Sequence, residues 1–306
     1  MFFQKKESNS FSEKSFITPY FLLGVYCFLW AAKDVYIAAK LEDYKTLEIL
    51  VGSSFWASLV AIILFSIRKR SDAPNCIVKL RWFMLIAVFS CTAFLAMFSA
   101  LKELLPATYA VIDTAIYPTS TILLALLFMG ERITTLSATA ILLLIVGSSI
   151  FMASDNLNSE VNPVWYIVAS TASFAFAVSA LAIKKLQKEA RVGNATIALA
   201  RYLPVFIIFT FIYIFSFQNP DLKSVIFDVN IMLLGIFGLL VPMLLLISIL
   251  GDIPLSHIGV ATTSIPFFSY ALSLSVGLGF HLTNFHWLGL VVLMLGWIIL
   301  YKVNQE

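Results

Sequence analysis

The feature that most constrains this chain is a succession of apolar stretches, each about 20 residues long, divided by short polar punctuation. A membrane-crossing helix needs roughly 17–25 such residues, because it rises only about 1.5 Å per residue through about 30 Å of hydrocarbon. Candidate spans fall at 17–39, 46–67, 80–101, 106–129 and 134–153, then at 162–183, 195–216, 229–250, 256–279 and 285–302. Clusters such as Arg68-Lys69-Arg70, Asp155-Asn156 and Gln218-Asn219-Pro220-Asp221 separate them. Of the 306 residues, 60% are hydrophobic and 12% charged, whereas soluble domains average about 45–50% and about 25%. Lipid has to cover this much apolar surface. The pattern predicts an all-α membrane protein of ten transmembrane helices.

Lys and Arg in short loops collect on the cytoplasmic side. With the N-terminus inside, the inner segments hold Lys5, Lys6, Lys14, Arg68, Lys69, Arg70, Lys79, Arg81, Arg132, Lys184, Lys185, Lys188, Arg191 and Lys302. The outer loops hold only Lys40, Lys45, Lys102 and Lys223. One helix more or fewer would scramble this asymmetry, so it predicts an even number of crossings with both termini cytoplasmic. Residues 1–16 read as a polar cytoplasmic tail with no small-residue cleavage site behind them, so the first apolar segment is expected to stay in the mature protein.

An internal repeat fixes the architecture further. Thr114 and Pro118 have counterparts 148 residues later in Thr262 and Pro266. Ala140 and Gly147 reappear 149 residues later as Gly289 and Gly296. An odd number of helices per half makes the second half enter the membrane with opposite polarity. The expectation is two inverted five-helix repeats, 17–153 and 162–302, with a substrate site between them near the midplane.

Residues 106–152 read PATYAVIDTAIYPTSTILLALLFMGERITTLSATAILLLIVGSSIFM. This resembles the EamA-type signature of the drug/metabolite transporter superfamily: a helix carrying Pro118, a Gly130-Glu131 step, and a following helix with Gly147. Trp30-Ala31 resembles the family's Trp-small pair, and 264–300 resembles the signature again. Two departures stand out. Glu131 has Phe280 and His281 where a second acidic residue would repeat it, and the second helix lacks the Arg often found there, a role open to Arg201. The resemblance implies a ten-helix bundle, a central cavity, alternating access, and substrates from amino acids to drugs.

Ionisable groups inside a bilayer cost about 2.5–3.5 kcal/mol or more near a helix centre, so each one calls for a reason. The candidates are Lys33, Asp34, Asp113 and Arg201. Asp34 lies roughly 9 Å below the outer end of helix one, and Asp113 roughly 10 Å down helix four from the same side. The two acids should share a level, with Lys33 beside them and Arg201 in the inner third. In the functional reading one acid pairs with Lys33 and the other binds a substrate amine or a transported proton. Arg201 then holds a substrate carboxylate with its bidentate fork. In the structural reading Lys33 and Asp34 sit solvated at the outer headgroups, Asp113 makes a packing contact, and Arg201 snorkels to the inner interface.

Tyr26, Trp30 and Lys33 share one helix face, as do Tyr109, Asp113 and Tyr117. Trp30 and Tyr117 are therefore candidates for the cavity wall, with Thr262 joining them; ordinary packing is the alternative. Pro118 and Pro266 free backbone carbonyls, and Thr114 and Thr262 are placed to satisfy them, as hinges or as static kinks. Glu131 ends a helix, where its charge opposes the macrodipole, so a structural or gating clamp to a cytoplasmic cation is expected. Ala169, Ser173 and Ala177 form a small-residue face for close packing.

Cys27, Cys76 and Cys91 fit no metal spacing and read as structural. His257, His281 and His286 sit near helix ends, and no nucleophile or phosphate-binding motif is visible. No catalytic residue, metal or cofactor is expected, and no nucleic-acid partner. The sequence points to a secondary transporter, monomeric or homodimeric, in a bacterial inner membrane. It moves a small polar or amphipathic metabolite, amino acid-like by preference, with protons as a candidate coupling ion. A multidrug or cationic-compound exporter is the alternative, and a membrane-embedded lipid-modifying enzyme a distant third.

Overall fold

The computed structural model describes residues 13–67, 76–130, 135–158, 162–190, 192–217, 220–250, 255–278 and 283–303. Among them every regular element is helical: α1 (Glu13–Lys40), α2 (Thr46–Ile67), α3 (Cys76–Glu103), α4 (Pro106–Met129), α5 (Thr135–Asn158), α6 (Val164–Ala190) and α7 (Asn194–Ser216). A short α8 (Leu222–Phe227) precedes a rod built from α9 (Val229–Leu233), a π-helical segment (Leu234–Leu240) and α10 (Val241–Leu250). Then come α11 (Leu255–Thr262), α12 (Ile265–Ser275) and α13 (Asn284–Val303).

Seven helices among the described residues are long and apolar enough to cross a bilayer; shorter apolar helices cover 138–151, 265–275 and 284–296. Their outer faces expose large apolar side chains, with Phe215 84%, Leu127 72% and Phe21 67% accessible, while Lys33, Asp34, Asp113 and Arg201 are buried. That inversion of the soluble pattern is what a lipid solvent demands. This is an integral membrane protein.

Helix partnering follows the internal repeat. α5 packs along α13, and α2 along α7. α4 lies on α6, and its counterpart pair α11–α12 lies on α1. α3 packs on α6, just as the π-containing rod packs on α1. The α5–α13 contact carries the signature of two-fold symmetry in single residues. A Cβ on Gly147 would stand 2.9 Å from the Gly289 carbonyl oxygen, and one on Gly289 would stand 2.8 Å from that of Gly147. Gly296 presses on Ala140 in the same way, 3.1 Å from its carbonyl oxygen. The sequence relates 140 to 289 and 147 to 296, whereas the contacts join 147 to 289 and 140 to 296. Crossed pairing of this kind is what an isologous, antiparallel contact produces, and glycine permits the close approach.

The proline helices correct two expectations. Residues 256–279 do not form one helix: α11 and α12 are separated by a turn at Thr263 and Ser264, and Pro266 opens α12. The Thr262 hydroxyl donates to the Gly259 carbonyl (2.7 Å) and the Ser264 hydroxyl to that of Ala261 (2.7 Å). These local side-chain bonds take up carbonyls at the break, where Pro266 has no amide hydrogen to offer the ladder. Pro118, by contrast, lies inside the continuous α4. Thr114 does not satisfy a freed carbonyl, since its hydroxyl has no hydrogen-bond partner; Thr119 bonds the Ala115 carbonyl instead (2.6 Å).

The 229–250 span is continuous, but its middle is π-helical. The Tyr202 hydroxyl donates to the Leu239 carbonyl (2.7 Å), supplying from α7 a partner for the altered ladder.

Candidate functional site

Side chains from both halves converge on one narrow cavity. α1 contributes Tyr26 and Trp30, α4 contributes Asp113 and Tyr117, and α7 contributes Arg201. Phe176 of α6 and Thr262 of α11 complete the polar and aromatic wall. The four-residue spacing from Tyr26 to Trp30, and from Asp113 to Tyr117, puts each pair on one helix face. Their free space is about 10 Å³, room for one water-sized body. In this conformation the cavity is narrow.

Two opposite charges face it without contacting each other. Asp113 is 5% and Arg201 3% accessible. Among the described residues no carboxylate lies within ion-pair distance of Arg201, and its Nε has no hydrogen-bond partner. Its guanidinium lies 5.1 Å from the ring centroids of both Phe94 and Phe176. Desolvated cation–π contacts contribute about 2 kcal/mol, which offsets only part of the several kcal/mol that burying an ion costs. Asp113 leaves Oδ1 without a partner, with the Ser173 hydroxyl beside its carboxyl group. Tyr117 is within electrostatic reach of both charges. Trp30 meets Phe176 edge to face at 5.3 Å and Tyr26 at 5.7 Å, making the wall stiff and aromatic.

Lys33 and Asp34 form a separate pair. Their side chains are wholly buried, with Nζ 3.0 Å from Oδ1, so the reading that placed them solvated at the headgroups is incorrect. Nor do they line the cavity with Asp113. Lys33 follows Trp30 by three positions, one helix turn on, and its ammonium rests 3.5 Å from the centre of the Trp30 ring. It reaches the cavity wall only through that ring. Its other partner is the Met97 sulfur at 3.0 Å. An apolar groove of about 260 Å³ runs between α1 and the π-helical segment, with Lys33 among its lining residues.

One end of the bundle is clasped across the two halves. The Tyr44 hydroxyl donates to Asp228 Oδ2 (2.7 Å) and the Tyr36 hydroxyl to Asn230 Oδ1 (3.0 Å). Asp228 also caps α9, accepting from the Asn230 and Ile231 amides. The hydrogen bond to Asp228, with some burial, holds the Tyr44 proton and pushes its pKa above the ordinary phenol value.

Of the residues singled out in the sequence, Trp30, Asp113, Tyr117, Arg201 and Thr262 meet at the cavity. Tyr109 is buried in the core with its hydroxyl unpartnered. Glu131, Phe280, His281, Lys5, Lys6, Arg68, Lys69, Arg70, Arg132 and Arg191 lie outside the described residues, as do the Cys76 and His257 side chains. Cys27 and Cys91 are free thiols, the first buried and bonded to the Ala261 carbonyl. His286 is buried, taking a hydrogen bond from the Thr283 amide (3.0 Å) and meeting Phe151 edge to face. The sequence reading missed Phe176 and the placing of Ser173. The signal was the Ala169-Ser173-Ala177 face, which lets α6 approach α4 and brings both residues to Asp113.

A bundle of apolar helices folded around a narrow, charged and aromatic cavity defines a polytopic membrane protein. The chain belongs to the EamA-like transporter family, whose profile matches residues 17–153 and again 163–302. That places it in the drug/metabolite transporter superfamily. Among solved structures, one titled "Crystal structure of protein" aligns with a TM-score of 0.68 over 93% of this chain and 96% of its own, at 16% identity. At that identity the likeness is one of fold. No curated protein matches the sequence.

Proposed function

We propose that this protein is a secondary transporter that carries a small zwitterionic or amphipathic metabolite, amino acid-like by preference, by alternating access. One observation carries the reading: a carboxylate from the first half and a guanidinium from the second, neither in an ion pair, face the same narrow cavity. A solute with an amine and a carboxylate satisfies both, and neither charge is then left bare in a low-dielectric interior. Arg201 takes the carboxylate and Asp113 the amine; Trp30, Tyr26 and Tyr117 pack its apolar part.

The cavity is too small to hold such a solute as it stands, so binding requires it to widen toward one side of the membrane or the other. In this reading the bundle has ten spans, arranged as two inverted five-helix repeats, with both termini cytoplasmic in an inner membrane. The crossed Gly147–Gly289 contact supports the inversion. The break at Thr263–Ser264 and the Pro118 site are the points where the proline helices bend. Asp113 also serves as the proton-exchanging group in this reading.

A multidrug or cationic exporter would use Asp113 and the aromatic wall in the same way. It has no use for a second, unpaired cation beside them, and Arg201 therefore favours the zwitterion. Proteoliposome uptake across a panel of labelled amino acids, cationic drugs and neutral solutes, with and without a pH gradient, tests the proposal. Saturable uptake of zwitterions, lost in Asp113→Asn and in Arg201→Leu, is the expected result. Uptake of cations alone, unaffected by Arg201→Leu, would overturn the amino acid preference, and flux indifferent to the gradient would remove the proton.

A further inference from the structure

We propose that Phe94 is a positioning residue for this cavity. With Phe176 it holds the Arg201 guanidinium in place of a counter-ion, leaving the charge free for a substrate carboxylate. The carboxylate rests on the zwitterion reading above; the hold on Arg201 does not.

The case begins with what a buried arginine needs. Its side chain carries about 2 kcal/mol of rotamer entropy, so the guanidinium has no fixed direction until something holds it. The usual partner is a carboxylate that takes two N–H donors at once. Arg201 is 3% accessible, yet among the described residues no carboxylate lies within ion-pair distance and Nε donates to nothing. It has two rings instead, each with its centroid 5.1 Å from the guanidinium carbon. A guanidinium is planar and weakly hydrated, and therefore suited to aromatic faces.

The two rings are not equivalent. Phe176 belongs to the cavity wall and meets Trp30 edge to face. Phe94, from α3, is 1% accessible and is not one of the lining residues, so it acts on a solute only through Arg201. Three neighbours fix its ring: Phe176 edge to face at 5.4 Å, Tyr202 tilted at 5.6 Å and Phe98 stacked at 6.3 Å. Tyr202 is anchored in turn, its hydroxyl donating to the Leu239 carbonyl of the π-helical segment. It also follows Arg201 directly in α7, so the charge and the brace behind its cradle share one helix.

Rings attract a cation without cancelling its charge. A carboxylate in the place of Phe94 would neutralise Arg201 and compete with an anionic solute, and an aliphatic side chain would leave the guanidinium loose. An aromatic cradle does neither.

Two measurements on the full chain test this. The first is a melting cycle without solute: Phe94→Leu in wild type and in Arg201→Met, beside Phe98→Leu in the same two backgrounds. Leucine keeps the site apolar and removes the ring face. The midpoint loss from Phe94→Leu should shrink by roughly half or more once the guanidinium is gone, while that from Phe98→Leu stays the same. Losses that simply add for Phe94 overturn the proposal. If Phe94→Leu does not fold, folding of its double variant with Arg201→Met has the meaning of the expected result, and failure of both overturns it.

The second is amino acid uptake into proteoliposomes. Phe94→Leu should raise the half-saturating concentration about tenfold and leave the maximal rate within about twofold, the pattern of lost binding. Phe98→Leu should move neither by more than about twofold. A fall in maximal rate alone, or an equal effect of Phe98→Leu, would make Phe94 a packing residue only. Should the wild type take up no amino acid, the zwitterion reading fails, and the melting cycle by itself decides whether Phe94 holds Arg201.

Discussion

Helix α4 and the α11–α12 pair hold equivalent places in the two halves and share the spacing from Thr to Pro. They nevertheless differ in form. α4 runs unbroken through Pro118 and carries the buried Asp113; its counterpart breaks before Pro266 and carries Ala261 at the matching position. The difference lies in three intervening residues. Ala115-Ile116-Tyr117 continue a helix, whereas Thr263-Ser264-Ile265 span the break, with the Ser264 hydroxyl bonded to the Ala261 carbonyl. The same asymmetry marks the rest of the bundle. Lys33, Asp34 and Asp113 stand on uninterrupted helices of the first half, while the π-helical segment and the helix break belong to the second. Arg201, on the unbroken α7, shows that the second half contributes charge to the cavity as well, so the division between the halves is one of helix form.

Paired substitutions at repeat-related positions break or sharpen that division. The largest effect is expected at the charges. Asp113→Asn should lower transport about a hundredfold or more in proteoliposome flux, the equivalent of about 2–3 kcal/mol for a lost charged hydrogen bond. Ala261→Ser, at the matching place, should leave flux within about twofold; equal losses would mean that the position equivalent to Asp113 binds the solute too. Next come the glycines. Gly147→Leu and Gly289→Leu should each destabilise by about 1–3 kcal/mol from overpacking, and by similar amounts, because their contact is symmetric. Thermal unfolding in detergent reads this, and a strong mismatch would speak against the two-fold relation.

The prolines should separate the halves more finely. Pro118→Ala should stabilise α4 by about 1 kcal/mol or more, by restoring a donor inside a helix. Pro266→Ala should change stability by only a few tenths, because the first turn of α12 has orphan donors anyway. Amide hydrogen exchange around 114–118 and 262–266 would show the difference. The threonines should divide in a similar way. Thr262→Val removes a bond to the Gly259 carbonyl and should cost about 1 kcal/mol. Thr114→Val removes none, and its unfolding midpoint should stay at or slightly above wild type.

Periodicity and cost account for what could be read without coordinates. Apolar length placed α2 and α4 at the expected limits, but α6 runs on to Ala190 past the expected 183, and 256–279 is two helices, not one. The cost of ions in lipid singled out Lys33, Asp34, Asp113 and Arg201, and all four are buried. The recurrence of Thr, Pro and Gly at a near-constant offset identified the repeat, and the family profile matches both halves. Where two readings stayed open, as for Lys33 and Asp34 at headgroup or interior, depth along a helix was not enough to choose between them.

What the sequence by itself determined, then, was the membrane class, the pairing of halves and the few charges that matter, because hydrophobic length and ionic cost act residue by residue. Only the tertiary structure decided which charge meets which. Lys33 turned to Asp34 and not to the cavity, Thr114 was left without a partner, Phe176 arrived from a helix read as mere packing, and one of two similar proline helices broke. Each of these depends on how neighbouring rods approach and on short-range competition for carbonyls. Spacing along a single chain does not encode either.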